Sequence, residues 1–274
     1  MSPVGSQAAF KATLAACRSA AGKATQALVH SWPVIPASLG LFLLHSLLSN
    51  LLQGFGMAGG FVLGMIQITL LSIYYGWLAD LAHGQKLRFK DLMSLDYGLF
   101  SDVINTAFVL YLITFVLQTI GRGGSLGNLQ LIVQLVIAVV LNSLAEAVYI
   151  SRRQGLDALS HAASFMRSNW IEWLITWLLP LIPACGAGIG YFALMLATSE
   201  PLLPALLPAG VLLRTVLGFA PARMFFSGDL GFLALGGTVL VTVLTNWLML
   251  FRADLYKWLD TSSRRSRAFR EAAR

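Results

Sequence analysis

The chain has 274 residues, 57% of them hydrophobic and only 11% charged, with a formal net charge of +7. Soluble domains carry about 25% charged residues, so a body of this size has too little polar surface to stay in water, and a separate soluble domain is excluded. The positive balance reads as a topological signal and as attraction to anionic lipid headgroups, with no support for nucleic-acid binding.

Residues 1–33 contain no acid, and the first in the chain is Asp80. Phe10, Leu14, Cys17, Ala21, Ala24 and Leu28 recur at steps of three and four beside Lys11, Arg18 and Lys23. This predicts a basic amphipathic helix in the headgroup layer. A transit peptide is the second reading, set lower because an apolar span follows at once and arginine is scarce.

The first span is expected at 34–52, entered through Trp32 and Pro33, an interfacial aromatic and a helix-entry residue. After the turn at 54–60 comes a second span, 61–78. Gly56, Gly60 and Gly64 form a small-residue stripe that admits close helix packing. Residues 81–102 read as a surface-lying connection, with Lys86, Arg88 and Lys90 alternating with Leu87 and Phe89. A third span follows at 103–120, then a glycine-rich turn.

The fourth span, 129–150, carries Asn142 and Glu146 one helical turn apart, and Arg152 and Arg153 follow it. Residues 151–170 form a second interfacial connection. A fifth span, 171–197, is interrupted by Pro180 and Pro183, which remove backbone donors. The proline-containing stretch near 202–225, with Arg214 and Arg223, reads as a re-entrant or interfacial hairpin, and 230–251 is the last span. The expected architecture is therefore all-α: a polytopic transmembrane bundle of six spans, a basic amino-terminal segment, and a basic cytoplasmic tail over 252–274.

With six spans, sixteen of the nineteen lysines and arginines fall on the cytoplasmic side, and both termini lie there. A seventh crossing at 202–217 would move the tail charges outside and destroy that pattern. The implied location is a bacterial inner membrane.

Two spacings carry a resemblance to known families. One is Tyr75-Gly76-Trp77-Leu78 with Asp80, Gly84 and Asp91; the other is Glu146 and Ala158 followed by Arg167-Ser168-Asn169-Trp170. Over about residues 35–200 the chain resembles bacterial six-helix membrane families, the YciC-like proteins and the membrane domain of some glycerophosphodiester phosphodiesterases. The resemblance implies an integral membrane fold and transfers no catalytic residue.

Glu146 is the one acid well inside a predicted span, where a charge costs about 2.5–3.5 kcal/mol at a helix centre. With Asn105, Asn142 and Asn246 it defines a candidate polar pocket open to the cytoplasm, suited to an ion, a proton or a headgroup. The competing reading pairs Glu146 with Arg152 or Arg153 near the interface and leaves the asparagines as helix cross-links. His45, Gln67, Gln118 and Gln134 read as similar cross-links. Candidate contacts to anionic phospholipid headgroups are Lys11, Arg18, Arg152, Arg153, Arg264, Arg265 and Arg267. For Arg214 and Arg223, snorkelling competes with contact to phosphates.

Gly123-Gly124-Ser125-Leu126-Gly127 has the form of a nucleophile elbow but lacks the strand and helix that expose the serine. Cys17 and Cys185 support neither a disulfide nor a metal site. With no cofactor or metal motif and no acid, base and nucleophile set, a lipid-handling enzyme is disfavoured. The sequence points to a non-enzymatic membrane-embedded assembly or accessory component, with a membrane-protein partner or a second copy as its associate. The alternative is a small transporter or channel working through Asn142 and Glu146.

Overall fold

A computed structural model of the chain describes residues 3–92, 94–121, 136–137, 139–184 and 231–262. Among the described residues the protein is all helical, without a strand. We number the helices α1 (Pro3–His30), α2 (Val34–Leu52), α3 (Gly56–Ala82), α4 (Tyr97–Gly121), α5 (Leu144–Tyr149), α6 (Gly155–Ala184) and α7 (Gly231–Asp260). Three helical stretches are long and apolar enough to cross a membrane: Val34–Leu52, Gly56–Ala82 and Tyr97–Val116. A helix of about 20 residues at 1.5 Å each spans the ~30 Å hydrocarbon layer. The first two take in the segments expected at 34–52 and 61–78, and the third overlaps the one expected at 103–120.

The buried core gathers toward one end of these helices. On α3, Leu71, Tyr74, Tyr75, Trp77, Leu78 and Leu81 are buried, while Met57, Phe61, Val62 and Met65 on its first turns are exposed. On α4, Leu99, Val103, Ala107 and Leu110 are inside, whereas Phe108, Tyr111, Leu112, Phe115 and Val116 are not. Helix α2 exposes Leu43, Leu44, Leu47 and Leu51. In water such continuous apolar surface is rare and drives association; hydrocarbon accepts it without cost.

Helix α7 is the central post, touching α1, α2, α3, α5 and α6. Its apolar pattern continues beyond the expected end of the last span at 251, through the buried Ala253, Leu255, Tyr256 and Leu259. Helix α1 packs along α7. Its buried face is Ala12, Thr13, Ala20, Ala24 and Leu28, and Leu14, expected on the apolar face, is exposed. Small side chains are the reason: an alanine stripe allows close approach of two helices, and that contact selects the buried face over the larger leucine. Trp247 Nε1 donates to Thr25 Oγ1 at 3.0 Å across this contact.

Several boundaries follow from local chemistry. Helix α3 stops at Gly84, whose φ of +78° suits a residue without Cβ. The Gly84 amide returns to Leu81 O at 3.0 Å and the Gln85 amide to Asp80 O at 2.9 Å, the paired bonds that satisfy a helix's last carbonyls. The connection that follows is held inward by buried Leu87 and Leu92. Helix α6 joins the expected second connection and fifth span into one element, with a non-helical residue at Asn169 (φ −128°, ψ 16°) beside the expected junction at 170.

The expected glycine stripe plays a different part. A Cβ placed on Gly56, Gly60 or Gly64 would meet nothing within 4 Å, while one on Gly59 would stand 2.1 Å from Leu52 O. Close approach therefore occurs at Gly59, where α3 turns back on α2. Within the segment expected as the fourth span, residues 141–143 form a turn that separates α5 from the preceding residues. Residues 185–197 of the expected fifth span, the hairpin near 202–225 with Arg214 and Arg223, the Gly123–Gly127 pattern, Cys185 and the tail cations Arg264, Arg265 and Arg267 lie outside the described residues.

Candidate functional site

The polar centre of the fold is built on the turn at 141–143. There the Asn142 amide bonds to Val139 O at 3.3 Å and the Leu144 amide to Leu141 O at 2.9 Å, three-residue bonds in place of four-residue ones. This tightening frees the carbonyl of Asn142 from the helical ladder. Arg252 takes it, donating from Nη2 to Asn142 O at 2.6 Å.

Arg252 also meets Glu146 in a two-pronged contact, Nε to Oε1 at 2.7 Å and Nη2 to Oε2 at 3.0 Å. Its Nη1 donates to Asn142 Oδ1 at 3.2 Å, and Trp173 Nε1 donates to the same oxygen at 2.7 Å. The guanidinium carbon lies 4.8 Å from the centre of the Trp173 ring, in range for cation–π attraction. Arg252 is 2% exposed and Glu146 0%, so neither charge meets solvent. Desolvating such a pair is expensive, and the cost is offset only when geometry and extra hydrogen bonds are both favourable. Here both carboxylate oxygens and three guanidinium nitrogens are engaged.

Tyrosines and a tryptophan wall this centre. Tyr149 OH donates to Met249 O at 3.3 Å, and its ring centre lies 5.1 Å from that of Tyr75. Tyr256 packs on Phe165 at 4.6 Å and on Trp173 at 6.1 Å, and its hydroxyl is 3.3 Å from Ser151 Oγ. The Tyr75 hydroxyl is buried with no partner among the described residues.

Polar contacts recur along α7 on either side of the ion pair. Asn246 Nδ2 donates to Ser38 Oγ on α2 and to Thr242 O, both at 2.8 Å. Lys257 Nζ donates to Ala82 O at the end of α3 at 2.6 Å, a cation placed on a helix carboxyl terminus. Near the last turn of α7, His161 of α6 stands 3.3 Å from Asp260. Beyond the expected last span, burial pushes Asp254 up against the lowering influence of Lys23 and Lys257, and pushes Lys257 down.

Of the candidate pocket residues, Asn142 and Glu146 share one centre. Asn105 is exposed on α4 and donates to Gln154 Oε1 at 2.7 Å, and Asn246 bonds to α2. The expected partner of Glu146 is corrected: Arg252 holds it, while Arg152 pairs with Asp96 and reaches Asp102 at 3.8 Å, and Arg153 pairs with Asp157 at 2.9 Å. Lys11 and Arg18 are exposed on α1. His45, expected to cross-link helices, has a buried Nε2 without a partner among the described residues.

Arg252 and Trp173 escaped the sequence reading. A signal for Arg252 was present: apolar residues continue at 253, 255, 256 and 259, so the arginine sits inside a periodic run rather than after one. Comparison of the chain with protein-family models, curated proteins and solved structures returns no match.

Proposed function

We propose that the chain is an integral protein of a bacterial cytoplasmic membrane, with six spans and both termini cytoplasmic, acting as a non-enzymatic assembly or accessory component. The observation that carries this reading is the saturated contact of Arg252 with Glu146 and Asn142. A carboxylate that is wholly buried, with each oxygen held by a guanidinium nitrogen, is closed off from a passing ion or substrate. Its work is to fix α5 against α7, and α7 in turn orders four other helices. The exposed apolar faces of α2, α3 and α4 supply the lipid-facing surface, and a membrane-protein partner or a second copy is the associate such a component requires. The resemblance to YciC-like families supports the same integral membrane fold and adds no activity.

One observation favours transport as the second reading. The helix is broken at 141–143 beside a buried charge pair and a Tyr75 hydroxyl with no partner among the described residues, and interrupted helices mark binding sites in many transporters. Glu146→Gln separates the two. A structural pair predicts reduced yield and stability, whereas transport through the carboxylate predicts normal insertion with lost flux.

A further inference from the structure

The connection between α3 and α4 carries three cations with no ion-pair partner among the described residues, Lys86, Arg88 and Lys90, all exposed. Arg152 and Arg153, by contrast, are each bound to aspartates. The backbone fixes the arrangement. Leu87 is buried, and its amide donates to Ser31 Oγ at 3.4 Å, so Lys86 and Arg88 on either side point outward. Of the two acids in this connection, Asp91 accepts from the Arg88 amide at 3.2 Å and Asp96 pairs with Arg152. Next to these cations, Phe89 and Trp32 meet edge to face at 5.7 Å, 63% and 56% exposed respectively. Trp32 lies two residues before α2, at the edge of a membrane-length apolar helix.

We propose that this Trp32–Phe89 pair, ringed by Lys86, Arg88 and Lys90, is a binding surface for anionic phospholipid headgroups. It rests on the membrane reading above. Two aromatics this exposed to water would be wasteful, but at the headgroup level their rings are stabilised while their edges stay wet. Charge complementarity selects the occupant. Each lysine or arginine close to an anionic surface strengthens association by about fivefold, and here three act together on a loop tethered through Leu87 to Ser31. A zwitterionic headgroup offers no such advantage.

The test uses the full chain with Cys17 and Cys185 replaced by alanine and a fluorophore on Gln85→Cys, reconstituted in mixed phosphatidylglycerol and phosphatidylcholine vesicles. Headgroup-spin-labelled phosphatidylglycerol should quench severalfold more strongly than spin-labelled phosphatidylcholine at equal fraction. Lys86→Gln, Arg88→Gln and Lys90→Gln combined should equalise the two, and Trp32→Ala with Phe89→Ser should reduce quenching by both. Equal quenching in the unaltered loop, or a fluorophore reached only by an aqueous quencher, overturns the proposal while leaving the membrane reading standing. Failure of the protein to float with vesicles of either composition overturns both.

Discussion

The carbonyl of Asn142 accepts a 2.6 Å hydrogen bond from Arg252, 110 residues away, because the helix carrying it is broken there. The same asparagine's side-chain oxygen receives Arg252 Nη1 and Trp173 Nε1. Asn142→Ala therefore strands two buried donors. Each abandoned donor costs about 1–3 kcal/mol, so the variant should unfold at visibly lower temperature in detergent. Trp173→Phe deletes one donor together with its partner bond and should cost less than Asn142→Ala. The reverse order, measured by thermal unfolding of both, would contradict the geometry.

Arg152 adopts a left-handed φ of +55° and pairs with Asp96. Partial burial works to raise Asp96, but the bond from Arg152, the Leu99 and Gly98 amides and the charge of Arg152 outweigh it and hold this carboxyl below its usual range. A lowered acid adds stability that is present above its unfolded value of about 3.9 and is lost as pH falls through the folded value. Both side chains are nearly half exposed, so the effect stays below about 1 kcal/mol. The stability of the unaltered protein should fall slightly more between pH 6 and pH 3 than that of Asp96→Asn. Equal weakening would show that the pair contributes nothing.

Ala24 is wholly buried on the face of α1 that packs against α7. Overpacking such a contact costs about 1–3 kcal/mol. Ala24→Leu should loosen α1, read as faster proteolysis within residues 3–30, whereas Leu14→Ala on the exposed side should leave proteolysis unchanged.

Gly59 tolerates no side chain, since a Cβ would overlap the Leu52 backbone oxygen at 2.1 Å. Gly59→Ala should lower the folded yield, and Gly60→Ala, where the space is open, should not. Equal yields for the two would place the contact between α2 and α3 elsewhere.

How much of this was legible in the sequence depends on range. Helical type and the stretch 34–52 follow from local apolar content, and α2 occupies the same residues. Helical spacing put Asn142 and Glu146 together, and the two do meet, but through Arg252, with Asn142 in the turn before α5. That partner of Glu146 was not legible, because counting cations by side of the membrane treats Arg252 as a solvated tail charge, whereas tertiary packing 106 residues away buries it. The packed face of α1 was legible only in part: of the expected apolar set Ala24 and Leu28 are buried and Leu14 is exposed, while the buried Ala12 and Ala20 lay outside it. Alanines give a weak hydrophobic signal, yet their small size decides which face can come closest to a neighbouring helix.

The most direct test of the central claim is a double-mutant cycle on Glu146 and Arg252 in reconstituted protein, read by unfolding stability and by ion or proton flux. If the pair is a structural clamp, Glu146→Gln and Arg252→Gln should each cost about 3–5 kcal/mol, and the two combined should cost less than the sum of the single changes. Full stability and normal insertion of Glu146→Gln, together with loss of a flux carried by the unaltered protein, would contradict the account and establish Glu146 as a transport carboxylate.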